Sequence, residues 1–183
     1  GFFDRPGAHA PVTLIPFLLG LDVWQNSDIV ALGKRIVRER VDDIGHRDAV
    51  LQSLFENMEF EIVRHSSIIT FLLSYVHTED IISVFNRSCE RRSDTVFRWA
   101  ISRVNRHVAS AGVETVFTTV MASNARREFH RAAAFCRRNR DLIDLNPHLS
   151  ALVVRLQTAR MKTYNVDQSW LDAEFNGSMF GRY

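Results

Sequence analysis

The sequence predicts an all-α fold, and three observations carry that expectation. Apolar residues recur at helical spacing through most of the chain. Capping residues such as Ser, Asp and Asn stand ahead of these stretches, and only four prolines occur in 183 residues. No glycine-punctuated run of alternating residues reads as a strand. Eight or nine helices are expected, arranged as stacked antiparallel pairs in the manner of an α-solenoid or as a compact helical bundle. No clean repeat period is visible, so no repeat family is assigned.

The opening GFFDRPGAHAP, with Pro6, Gly7 and Pro11, reads as the start of an irregular arm over 1–26 that includes a short helical turn. Ser27 is the expected cap of a helix over 28–40, in which Ile29, Val30, Leu32, Ile36 and Val37 spread over about half the circumference, a width expected of a helix covered on two sides. Asp42 or Asp43 caps a helix running to Met58. The apolar run Ile68–Val76 follows Ser66 and is read as a buried helix, because both neighbours are helical and the run is far shorter than the roughly 20 residues that cross a bilayer.

Thr78, Glu79 and Asp80 form an acidic first turn that suits a helix dipole, opening a helix to about Cys89. Ser93 and Asp94 start a long helix to about Ser110, with Gly112 at the expected left-handed stop and a shorter helix over 113–121. Asn124 caps the stretch ARREFHRAAAFCRRNRDL, and Asn146 followed by Pro147 caps a helix over 147–163. The tail 166–183 carries Trp170, Phe175, Phe180 and Tyr183, read as a lid packed on the core.

Length and composition, 46% apolar and 24% charged, fit one globular domain over 1–183. The chain begins with Gly1 and shows no secretory leader, so it is expected to be a piece excised from a longer protein. Two cysteines, Cys89 and Cys136, stand outside any CxxC or Cys/His cluster, and an intracellular setting, cytoplasmic or nuclear, is expected from this usage. Both fall near apolar helix faces, which favours inert packing.

Charge is distributed unevenly. Residues 1–85 hold 7 Lys/Arg against 12 Asp/Glu, residues 86–140 hold 12 against 4, and residues 141–183 hold 4 against 5. On the helix that begins at Asn124, Ala125, Phe129, Ala132, Ala133 and Cys136 make the core face, while Arg126, Arg127, His130, Arg131, Arg137 and Arg138 fill an arc from about 60° to 200° away from Phe129. Such an arc binds phosphates or an acidic partner, or else is a solvated face neutralised by the acidic N-terminal half. On the helix from Ser93, Trp99 lies about 160° from Phe97, with Arg92, Arg103 and Arg106 around it. An aromatic ring among guanidinium groups suits single-stranded nucleic acid or a protein hot spot, and Trp99 can equally pack on a neighbouring helix.

The sequence contains no HExxH, GxSxG, GxGxxG or P-loop motif, and its seven histidines form no i,i+4 pair. An enzyme would need His107, Glu114, His130 and Asp141 brought together from separate helices. The expected function is therefore a non-enzymatic helical scaffold that binds another protein or peptide, acidic or amphipathic, without cofactor, metal or membrane span. RNA or DNA binding through the same arginines is the alternative, and self-association as a homodimer is compatible with either.

Overall fold

The computed structural model describes residues 10–20, 26–59, 63–122, 126–151 and 153–154. Among them every regular element is a helix, so the all-α class is observed. The chain divides into two compact units, Gly1–Asp80 and Ile81–Tyr183.

In the first unit a 3-10 turn, Val12–Leu14, leads into α1 (Ile15–Leu18), where Pro16 occupies a first-turn position that needs no amide donor. α2 (Ser27–Glu39), α3 (His46–Met58) and α4 (Val63–Leu73) follow, then a second 3-10 turn, Thr78–Asp80. α3 is central and packs on α1 and α4, while α2 packs on α1. The core gathers Ile15, Leu19, Val37, Leu54, Met58, Ile69 and Leu72, all essentially inaccessible to solvent. Gly33 brings α2 against α1: a β-carbon there would stand 2.8 Å from Leu19 Cδ2. Only Gly33, Ile36 and Val37 of α2 are buried, and Ile29, Val30 and Leu32 are partly exposed, so its wide apolar face is covered less completely than its sequence suggests.

Two caps differ from expectation. Asn26, not Ser27, caps α2, its Oδ1 accepting from the amides of Asp28 and Ile29. Its short amide side chain reaches two of the orphan donors of the first turn, so the helix starts one residue earlier. α3 is entered through Gly45 at φ +82° rather than through Asp42 or Asp43. Asp43 instead ion-pairs with Arg40.

Polar side chains join the elements of this unit. Asn57 Nδ2 donates to the carbonyls of Leu19 (2.9 Å) and Ser53 (2.8 Å), which leaves its Oδ1 to accept from His65 Nδ1 at 3.2 Å. One buried amide thus links the end of α1 to α3 and α4. Arg47 on α3 donates to both oxygens of Asp80 and to Glu79, fastening the second 3-10 turn.

The second unit comprises α5 (Ile81–Arg91), α6 (Asp94–Ile101), α7 (Arg106–Ala122), α8 (Arg126–Arg138) and α9 (Arg140–Asp144), with further helical residues at 147–151 and 153–154. Asn146 Oδ1 accepts from the amides of His148 and Leu149 ahead of Pro147, the expected cap. The core is built on Phe85, Phe97 and Phe135, with ring centroids 5.9 Å apart for the first pair and 5.0 Å for the second, the latter edge to face. Phe135 lies about 240° from Phe129 on the helical wheel, so the buried face of α8 is wider than the alanine stripe in its sequence.

The long helix expected from Ser93 is broken. α6 ends at Ile101, and Asn105 Oδ1 accepts the amide of His107 to start α7. α7 then runs through Gly112, which is a packing site rather than a stop. A β-carbon on Gly112 would stand 2.5 Å from Asn86 Oδ1 and 2.9 Å from Phe85 Cε1, so the missing side chain lets α7 approach α5. The stop after α5 is made by Arg92 at φ +56°: Ser93 N donates to Ser88 O in the six-to-one bond of a Schellman turn. Asn124, the expected cap of α8, the remainder of the helix expected over 147–163, the tail 166–183 and residues 1–9 and 21–25 of the expected arm lie outside the described residues.

Candidate functional site

The arginines singled out in the sequence fall into three groups. Arg131, Arg137 and Arg138 lie on the C-terminal half of α8, where Arg131 and Arg138 are exposed and Arg137 is half-buried. Arg126, Arg127 and His130 lie on the first turns of α8, and their side chains are outside the described set. Arg92 lies on the α5–α6 turn, Trp99 within α6, Arg103 on the α6–α7 turn and Arg106 at the start of α7.

Within the first group, Arg138 is held by a carboxylate from α6. Asp94, in the first turn of α6, accepts from Arg138 Nε through one oxygen and from Asn139 Nδ2 (2.6 Å) through the other. Asn139 Nδ2 also donates to Phe135 O at 3.0 Å, which ties this contact to the core beneath. Arg98, one turn further along α6, grips Asp141 on α9 with two hydrogen bonds of 2.9 and 2.8 Å and donates to the carbonyl of Arg138 at 2.8 Å. Arg140 pairs with Asp144 within α9.

These contacts join α6, α8 and α9 into one plate whose surface alternates cation and anion. The Arg98 guanidinium beside Asp141 holds that carboxyl below the ordinary carboxylate range, and Asp141 in turn raises Arg98. Exposed pairs of this kind contribute little to stability individually. Their effect is geometric, since a bidentate arginine fixes side-chain direction.

Trp99 is half-buried against the aromatic core. The guanidinium of Arg103 stacks on its ring, 4.3 Å from the centroid, and donates to the Trp99 carbonyl at 2.6 Å. One ring face is therefore occupied by an intramolecular cation–π contact. Arg106 is exposed at the start of α7, and Arg92 serves the backbone reversal after α5.

Arg98, Asp94 and the buried Asn139 build these contacts and were not singled out by periodicity. Leu145 is 76% exposed on the turn after α9. The ion-pair partners lie more than 40 residues apart in the chain. The signal in reach was Asp94, an acidic first-turn residue whose second role shows only in three dimensions.

Of the residues an enzyme would need, Asp141 is engaged by Arg98, and His107 lines a cavity of about 360 Å³ between α5 and α7 with Asn86, Glu90, Val108, Thr115 and Val116. Both thiols are buried, and desolvation pushes Cys89 up to about 12 and Cys136 further still. Among the described residues no group of three His, Cys, Asp or Glu side chains is placed to hold a metal, and no helix is long and apolar enough to cross a membrane. No known protein family, curated protein or solved structure matches this chain.

Proposed function

We propose that the chain is a helical protein-interaction module whose second unit engages an acidic or amphipathic partner through the plate formed by α6, α8 and α9. The observation that carries this reading is the pairing of Arg98 and Arg138 with Asp141 and Asp94 inside the basic surface. Carboxylates within the plate repel a phosphate backbone, whereas a protein partner reads alternating charge and is selected by it. Two further features support a protein partner. Leu145, 76% exposed on the turn that follows α9, offers an aliphatic contact in the same unit. Arg103 already covers one face of Trp99, which removes one of the ring faces on which a base would stack.

The test is affinity capture with the unmodified chain and with an Arg131→Glu/Arg138→Glu variant, each with and without nuclease. A protein retained by the unmodified chain after nuclease treatment and lost with the variant supports the reading. Retention that nuclease abolishes assigns the plate to RNA or DNA, the alternative that Arg126, Arg127, Arg131, Arg137 and Arg138 keep open.

A further inference from the structure

The turn between α2 and α3 carries the most exposed large aliphatic side chain among the described residues. Ile44 is 98% exposed and Val41 46% exposed, three positions apart on a six-residue connection. A floppy loop would fold such residues inward or leave them averaged in solvent. This one is held in place.

Asp43 N donates to Arg40 O at 3.0 Å and His46 N to Asp43 O at 3.1 Å, so two consecutive β-turns share Asp43. The Arg40–Asp43 ion pair, 2.6 Å, spans the first. Gly45 closes the second at φ +82°. Beyond it His46 is buried, and its Nε2 donates to Val37 O at 2.9 Å, bolting the end of the turn back onto α2. Rigid display of an aliphatic residue lowers the ordering cost of binding, which is what an interface anchor requires.

The electrostatics around the turn choose the partner. From Arg38 to Asp48, with Glu79 and Asp80 included, six carboxylates stand against three cations. Those cations are engaged: Arg38 lies over the Phe71 ring, Arg40 pairs with Asp43, and Arg47 is held by Asp80 and Glu79. Glu39, Asp42 and Asp48, on the turn and the helix ends that flank it, are exposed.

We infer that the α2–α3 turn is a second docking surface, in which Ile44 and Val41 enter an apolar pocket on another protein whose rim carries lysines or arginines. Its charge is opposite to that of the α6–α8–α9 plate, so it takes a different partner surface and does not rest on the reading of that plate. Ile44 is the anchor and Asp42 and Asp48 steer the encounter.

Site-specific photo-crosslinking in cells that make the protein tests this, with a benzophenone amino acid at Val41 and, as control, at Gln52 on α3. The expected result is an adduct to a distinct protein from position 41 and not from 52. Ile44→Ser should diminish that adduct at least about tenfold, Asp42→Lys/Asp48→Lys should diminish it too, and raised salt should weaken it. Circular dichroism showing unchanged melting of both variants keeps the comparison to binding. Absence of an adduct, or one indifferent to Ile44→Ser, overturns the inference. An adduct of twice the chain's mass, or one strengthened by the lysine substitutions, overturns it as well, assigning the turn to a second copy or to an acidic partner.

Discussion

Replacing Gly112 by alanine sets two well-known effects against each other. In an exposed helix interior the change is stabilising by about 1 kcal/mol, because alanine restricts the unfolded chain and glycine does not. In this helix the new methyl group would meet Phe85 Cε1 at 2.9 Å and Asn86 Oδ1 at 2.5 Å. The amide can swing away, but the Phe85 ring is fully buried and stacked toward Phe97, which itself meets Phe135. Ordinary contact starts at 3.4 Å, so α7 must retreat from α5 by about half an ångström and loosen the aromatic core. Overpacking of this order costs about 1–3 kcal/mol. Taking about 2 kcal/mol for the strain and subtracting the propensity gain leaves a net loss of about 1 kcal/mol, or a fall in Tm of roughly 4–8 °C for a unit of this size.

Thermal denaturation followed by circular dichroism at 222 nm measures the shift. Gly112→Ala in a Phe85→Leu background separates the causes, since the smaller side chain relieves the clash and the alanine should then be neutral or stabilising. A rise in Tm for Gly112→Ala in the parent chain would refute the reasoning, showing that helix propensity outweighs the close approach.

Three further outcomes follow from the same contacts. Asn57→Leu removes the donor to Leu19 O and the acceptor for His65 Nδ1 in a buried site, so chemical denaturation should show a loss of about 2–4 kcal/mol in the first unit. Burial lowers the pKa of His65 from 6.5, so above that pH its contribution is constant; as pH falls below it the unfolded chain takes up a proton more readily than the folded chain, and stability declines. Denaturant midpoints at pH 7.5 and 5.5 should therefore differ more for the parent chain than for His65→Gln, and an equal difference would count against the assignment. Cys89 and Cys136 should resist Ellman's reagent in the folded protein and react once denaturant exposes them, because only the thiolate attacks and burial suppresses it in both.

Much of the helical layout was legible in the sequence, and the exceptions have a common physical origin. The wheel of α8 identified Ala132, Ala133 and Cys136 as inward, and all three are buried. Asn146 with Pro147 marked a helix start that the structure reproduces. What escaped was set by contacts between elements. Gly112 reads as a stop because glycine frees the backbone, and only the proximity of Phe85 reveals it as a packing residue. Asn105 resembles any polar surface residue until its side chain is seen capping α7. Arg92, unlike glycine, gives no local sign of the left-handed backbone it adopts.

The plate shows the same limit. Periodicity placed Arg131, Arg137 and Arg138 on one face of α8 and Trp99 among arginines. It could not show that Asp94 and Asp141 reach into that face from α6 and α9, or that Arg103 lies on the Trp99 ring. The carboxylates that pair with Arg138 and Arg98 belong to the second unit itself. Ile44 was equally hidden, since an isolated aliphatic residue between two helices is silent about its exposure.

Whether the α6–α8–α9 plate reads proteins or phosphates is decided most directly by fluorescence anisotropy with a labelled single-stranded RNA, at low and at physiological salt, on the parent chain and on Arg127→Glu/Arg131→Glu/Arg138→Glu. A plate already interleaved with Asp94 and Asp141 should show no saturable binding below about 100 μM at physiological salt, a range weaker than ordinary nonspecific contacts. Tight binding with a steep salt dependence, abolished by the triple reversal, would contradict it and make nucleic acid the partner of this surface.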